Sequence, residues 1–296
     1  KSENSGVTWN VSITTNSYGH FQDGFFPEII CDASARFVFL TTYVQLIYSI
    51  DFGATWISKN LQNHSAFNSP ALGNNENNSI VPYMYCVADG NSTILRSVDG
   101  GTTFEPIYTT NTRSVAKLAA TIGGGNGVGG ETGYVYSFIK GDNGNYNPYI
   151  SPDNGKSFAE FPQEIDLSIP SSLSVDSSGQ FLIKTSSDGN IFKSYISSDY
   201  GITYNTIFGS SYSLVSGPSI IDRIAKNYLF VDKSSDEFST KSNVASGVIN
   251  EYIYTTVGGN PEQWTTLSLN DVISPLDSLI ILAGTYGNGV FIGKNR

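Results

Sequence analysis

One octet recurs along the chain. Residues 49–56 read SIDFGATW, 97–104 SVDGGTTF, 151–158 SPDNGKSF and 197–204 SSDYGITY, all of the form S-x-D-x-G-x-[T/S]-aromatic. A further copy, SENSGVTW at 2–9, has Asn4 in place of the Asp. A worn one, TTVGGNPEQW at 255–264, has Val257 there and extra residues before Trp264. Repetition at a fixed period restricts a chain to solenoids, propellers or arrays. Each copy lies between apolar or alternating runs, such as VQLIYS before it and TWISKNL after it. Strand, Asp-Gly turn, strand is the signature of a β-hairpin. The Asp carboxylate can accept backbone N–H groups inside the turn. The Gly supplies a backbone angle that side chains resist, and the aromatic can plug the space beside the hairpin. Asp51, Asp99, Asp153, Asp199 and Asn4 therefore read as structural. So do the aromatics Trp9, Trp56, Phe104, Phe158, Tyr204 and Trp264.

The octet resembles the Asp-box, or BNR, repeat of sialidases, sortilin-type receptors, some plant-polysaccharide hydrolases and photosystem II assembly factors. That resemblance implies a β-propeller. It also implies that each octet turns between the third and fourth strands of a blade, on the face away from the usual ligand site.

The copies recur at roughly 50 residues, and a four-stranded blade takes about 40–50. Six blades account for the whole chain as a single domain, 1–296. The chain opens on an octet and one outer strand, TWNVSITT, and closes on SLIILAGTYGNGVFIGKN, two strands with no octet after them. The expected fold is thus all-β: a six-bladed propeller of four-stranded antiparallel blades, closed by pairing of the N-terminal strand with the C-terminal strands. Closure of that kind removes a free sheet edge. In the last full blade the reading places strands near GPSII and YLFVDK, an insertion over SSDEFSTKSNVASG, and the worn octet as the hairpin turn before Trp264.

Charged residues make up 14% of the chain and apolar ones 39%, enough to fold around a core. The net charge of −10 argues against nucleic acid, whose phosphates need a basic surface. No run approaches the roughly 18 apolar residues of a membrane span. The abundance of Ser, Thr, Asn, Gly and Tyr suits a secreted protein, extracellular or on a cell or virion surface. Any leader is expected to have been removed. Cys31 and Cys86 are too few for a disulfide framework and read as buried thiols, with one bridge as the alternative. N-x-[ST] sequons begin at Asn10, Asn63, Asn77 and Asn91, candidates for glycosylation on a secretory route.

The remaining chemistry is thin. The glycine-rich run 123–130 has neither a following helix nor G-K-[ST], so it reads as a turn and not a phosphate loop. His20 and His64 read as solvated loop residues, with His20 favoured for function because it sits among Tyr18, Phe21, Phe25 and Phe26. No zinc motif is present. Oxygen-rich segments at 141–147 and 233–239 leave calcium open, although neither satisfies a twelve-residue loop; no other cofactor is expected. A sialidase-like site would need three arginines gripping a carboxylate and paired acids. Arg36, Arg113 and Arg223 could form such a triad, but none lies in the R-I-P context of that family.

Recognition is the reading that remains. By the resemblance, the ligand face collects loops 16–27, 59–70, 108–113, 141–146, 208–217 and 232–247. Candidate ligand-binding residues are Tyr18, His20, Phe21, Arg113, Tyr212 and Arg223. The expected function is a non-enzymatic extracellular module presenting these loops to a glycan or protein. The alternatives are a glycoside hydrolase of sialidase-like or divergent type, and a building block of a larger surface, filament or virion assembly.

Overall fold

A computed structural model describes residues 28–32, 36–75, 81–110, 114–121, 133–142, 144–160, 170–175, 179, 182–188, 191–197, 199–206, 220–221, 228–232, 237–242, 250–255, 264–269, 280–285 and 289–294. These residues form strands and turns, with no helix among them and so none long and apolar enough to cross a membrane. The chain divides into two compact units, Lys1–Glu160 and Phe161–Arg296.

The first unit holds three four-stranded antiparallel sheets, each an up-and-down meander. The first sheet runs β1 (Glu28–Cys31), β2 (Val38–Thr41), β3 (Leu46–Ser49), β4 (Ile57–Lys59). The second runs β5 (Asn68–Gly73), β6 (Tyr83–Ala88), β7 (Thr93–Ser97), β8 (Glu105–Thr109). The third runs β9 (Val115–Ala120), β10 (Val135–Lys140), β11 (Tyr146–Ser151), β12 (Ala159–Glu160). Pairing strands that follow one another in sequence keeps closure entropy low. The first strands adjoin, β1 beside β5 and β5 beside β9.

The core follows from the two-residue period of a strand. Along β6 every residue is buried. Met84, Cys86 and Ala88 pack with Phe37 and with Phe39, Leu46 and Tyr48 of the first sheet. Tyr83, Tyr85 and Val87 pack with Val115, Leu118, Val135 and Ile139 of the third. A strand buried on both faces reads as a continuous apolar run, as YMYCVA does. Each large side chain so buried contributes on the order of 1.5–3 kcal/mol. Cys31 is half-buried and Cys86 fully buried, and no disulfide joins them. Burial, aided by the charge of Asp89, pushes the Cys86 thiol far up, so it is an inert packing group.

The second unit has its own sheets. One runs β13 (Pro170–Val175), β14 (Leu182–Asp188), β15 (Ile191–Ser197), β16 (Asn205–Thr206). The next runs β17 (Ile220–Ile221), β18 (Tyr228–Asp232), β19 (Glu237–Ser242), β20 (Asn250–Thr255). The last has three described strands, β21 (Trp264–Leu269), β22 (Ile280–Thr285), β23 (Gly289–Lys294). Here too the first strands adjoin, β13 beside β17 and β17 beside β21.

This corrects the sequence reading in one blade. The expected insertion contains a strand, β19, paired along its length with β18 and β20. β20, which ends at Thr255, and β21, which begins at Trp264, lie in different sheets, so they are not the two arms of a hairpin. Trp264 opens the first strand of the next sheet, pairing with Thr285 of β22. It does not hold the octet-aromatic position, which lies just before a fourth strand. The physical reason is that EFSTKS carries a single large apolar residue. Its strand state comes from ladder bonds to both neighbours and not from propensity. The residues of the expected closing strand, 8–12, lie outside the described residues.

Candidate functional site

Each sheet has two ends, and the octets occupy one of them. The four intact octets share one hydrogen-bond pattern. The Ser hydroxyl donates to the Asp carboxylate at 2.9, 2.8, 2.7 and 2.8 Å for Ser49, Ser97, Ser151 and Ser197. It accepts the amide of the Gly at 2.8, 2.8, 2.7 and 2.8 Å. The Thr or Ser at the seventh position donates its amide to one Asp oxygen at 2.8–2.9 Å. Its hydroxyl donates to the other Asp oxygen at 2.5–2.6 Å. Two successive residues take positive φ: Phe52 (62°) with Gly53 (73°), Gly100 (71°) with Gly101 (88°), Asn154 (60°) with Gly155 (82°), and Tyr200 (62°) with Gly201 (80°). Both central residues of each turn are left-handed, the φ pattern of a type I′ turn.

These bonds hold the carboxylates in the charged form. For Asp51, the Thr55 hydroxyl and amide bring the pKa down to about 2. For Asp99, Asp153 and Asp199, partial burial acts upward, yet the bonds from the Ser or Thr at the seventh position and from the first Ser outweigh it, and each lies below the usual carboxylate range. With both oxygens engaged by their own turn, these are structural carboxylates.

The octets also tie neighbouring sheets of the first unit together. Phe104 stacks on Phe39 of β2, with centroids 6.1 Å apart. Phe158 meets Tyr108 of β8 edge-on at 5.7 Å. Tyr48 donates its hydroxyl to Gly101 O at 3.0 Å, joined by the Lys59 ammonium at 3.3 Å. Tyr85 and Arg96 donate to Asn154 O at 3.2 and 2.7 Å. Burial, then the charge of Asp99, raises the Tyr48 pKa. In the second unit, burial and then Asp199 do the same to Tyr204.

Arg36 belongs to this end as well. Its Nε donates to Ile50 O at 3.3 Å, its carbonyl accepts the Phe52 amide at 3.1 Å, and its guanidinium lies 5.3 Å from the Phe37 ring centroid. Of the three arginines that a sialidase-like triad would use, this one is held at the octet end of its sheet. Arg113 and Arg223 lie outside the described residues. So do Tyr18, His20, Phe21, Tyr212, Asn4, Trp9, Asn10 and Asn77.

The opposite end, where chain links leave fourth strands and enter first strands, carries a different cluster. The link after β4 bonds to both sheets it joins: Ala66 N donates to Tyr43 O at 2.7 Å, and Asp89 N to Ser65 O at 2.6 Å. His64 Nδ1 lies 2.7 Å from Asp89 Oδ2, and Ser65 N donates to Asp89 Oδ1 at 3.1 Å. Asn68 donates its amide to Asn91 Oδ1 at 2.6 Å. His64, expected as a solvated loop residue, is instead partnered, with 23% of its side chain exposed. Its partner lies on the β6–β7 turn, so only tertiary folding brings the pair together.

Backbone strain gathers at the same junction. Ala66 (φ 53°), Ser69 (49°), Asp89 (57°) and Asn91 (75°) are all left-handed without being glycine. Such residues cost on the order of 1–3 kcal/mol each and persist where surrounding bonds over-determine them. Ser69 also marks a bulge in β5, between Asn68 and Ala71, and its buried hydroxyl accepts Leu118 N at 2.8 Å. The first strands β9, β13 and β21 carry register shifts as well. Bulges re-aim side chains at sheet edges and beside binding sites. On the first strands of the first unit, Lys117 reaches from β9 to Glu28 of β1 at 2.7 Å. The link end thus presents His64, Asp89, Asn68, Asn91, Glu28 and Lys117 on a braced frame. It offers hydrogen-bonding groups of both signs. Among the described residues no group of three His, Cys, Asp or Glu could hold a metal.

No known protein-family model matches this chain. No curated protein matches it in sequence. Solved structures do match in fold. A YCF48 protein bound to D1 peptide is 14% identical, with TM-score 0.54 over 93% of this chain and 96% of that one. An α-L-arabinofuranosidase from Fusarium graminearum, in complex with an iminosugar inhibitor, is 12% identical, with TM-score 0.58 over 92% of each chain. An ancestral GH74 enzyme is 12% identical, with TM-score 0.59 over 90% of this chain and 40% of that one. These structures are β-propellers, and the chain has a β-propeller-like fold of four-stranded antiparallel sheets. At such identities the likeness concerns fold alone.

Proposed function

We propose that this chain is a six-bladed Asp-box propeller, a non-enzymatic extracellular module that recognises a protein partner or glycan through its link end. The observation that carries the functional reading is the junction at 64–69 and 89–91. There, four strained non-glycine residues hold a His–Asp pair and an Asn–Asn pair in place. Planar amides, a carboxylate and an imidazole suit hydrogen bonding to peptide groups or to sugar hydroxyls. Six blades and closure are supported by the last sheet of the second unit, in which β23 lacks a described partner on its outer side. The octet and strand at 2–12 would supply that partner.

The test is a binding screen of the folded chain against a glycan array and against candidate extracellular proteins, repeated with variants at each end. His64→Ala and Asp89→Asn should abolish a hit that Arg36→Ala leaves intact. A hit lost with Arg36→Ala and kept with both link-end variants would overturn the assignment.

The glycoside hydrolase reading is disfavoured by the place of Arg36 at the octet end. Turnover of aryl glycosides, sialosides included, would restore it. A role as building block of a larger assembly would show as a defined oligomer in native mass measurement.

A further inference from the structure

We infer that Asn63 is an acceptor for an N-linked oligosaccharide and that Asn91, which begins the same kind of sequon, is not. The two sit at the same junction but in opposite circumstances. Asn63, His64 and Ser65 form the first sequon, on a tight turn closed by His64 N donating to Leu61 O at 2.9 Å. Asn63 and Ser65 are both exposed. The acceptor residue and the hydroxyl-bearing residue two positions on are thus both at the surface, where a bulky group can be carried.

Asn91, Ser92 and Thr93 form the second sequon. Asn91 Oδ1 accepts the Asn68 amide at 2.6 Å, and its backbone carbonyl accepts Val115 N at 2.6 Å. Its backbone is left-handed at φ 75°. Thr93, whose hydroxyl the sequon needs, opens β7 with 4% of its surface exposed. The Asn91 side-chain amide is thus fixed against the start of β5, where a sugar on its Nδ2 would crowd the Asn68 side chain. Chains glycosylated there before folding would have to fit a sugar on Nδ2 of an amide that folding fixes against Asn68, with Thr93 buried beside it. Folded chains should therefore carry none.

The transfer needs a co-reactant of one class, a lipid-linked oligosaccharide. Asn63 Nδ2 bonds to the anomeric carbon, and the bond from that carbon to the polyprenyl diphosphate breaks. The diphosphate leaves with the electron pair, and the amide gives up one proton. No redox partner is involved. The inference does not depend on the proposed binding role, though a glycan at Asn63 would stand beside the His64–Asp89 pair.

The experiment is secretion of the full chain behind a leader from a eukaryotic host. Enzymatic deglycosylation in heavy-oxygen water and peptide mass mapping follow. The heavy label is expected at position 63 and absent at position 91 in the folded, secreted protein. Ser65→Ala should remove one glycan's mass while leaving the unfolding midpoint unchanged; if that variant is not secreted, Asn63→Gln serves the same purpose. An unlabelled Asn63, or a labelled Asn91 in folded material, would overturn the inference.

Discussion

Gly101 shows what the octet asks of a single position. Its φ is 88°, and a Cβ built there would lie 2.6 Å from the Tyr48 ring. Gly90 has φ 63° but open space around its missing Cβ. Gly101→Ala should therefore destabilise by about 2–4 kcal/mol, and Gly90→Ala by only about 1 kcal/mol. Urea unfolding of the two variants side by side reads the difference. Ala66 is the converse case, a buried left-handed residue with a side chain at φ 53°. Ala66→Gly should relieve strain and raise stability by about 1 kcal/mol, provided the backbone keeps its bond to Tyr43. At this scale the octets could be read in advance, because their bonds join residues two to four apart. The His64–Asp89 and Asn68–Asn91 pairs could not, since their partners lie on separate strands and loops. A hint was present in the Asp-Gly-Asn turn at 89–91, which forecasts left-handed backbone but not what the Asp would hold.

Turns and strands answer to pH through the same carboxylates. A carboxylate whose folded pKa is depressed adds stability above its unfolded value, about 3.9. That stability is lost as pH falls through the folded value, about 2 for Asp51. Asp99, Asp153 and Asp199 are shifted in the same direction. The urea midpoint should hold down to about pH 4 and then fall steeply towards pH 2, and Asp→Asn changes at these positions should flatten that fall. A midpoint that declines equally in wild type and variants would refute the octet linkage. Between sheets, Tyr85→Phe removes the hydroxyl bonded to Asn154 O and should destabilise by about 1 kcal/mol. A cycle with Arg96→Met, which touches the same carbonyl, should show coupling. β19 is where element-level reading failed. Its one useful mark was Ser242 at the strand end, the place that Ser49, Ser97, Ser151 and Ser197 hold in theirs.

For the molecule as a whole, the proposed ring makes a geometric demand. A cysteine placed within 8–12 and another within 289–294 should cross-link under mild oxidation if these strands are neighbours, and the bond should raise the thermal midpoint. Closing so long a loop constrains the unfolded chain by up to about 4–5 kcal/mol. Failure to cross-link over a scan of adjacent positions would end the closure proposal. Removing residues 1–12 should in turn expose the outer edge of β23, with aggregation as the readout.

What could be known from the string of residues was whatever depends on neighbours in the chain: the hairpins, their left-handed turns, the period, and hence a β-sheet protein with propeller-like blades. What required folding was every contact between residues far apart: the Tyr48 and Tyr85 hydroxyls on the next turn, the strand β19 held by its neighbours, and the pairing of His64 with Asp89. The difference is physical. A turn's free energy comes from bonds a few residues apart, so its pattern is local. The link-end cluster instead exists only because separate sheets bring its members within hydrogen-bond reach.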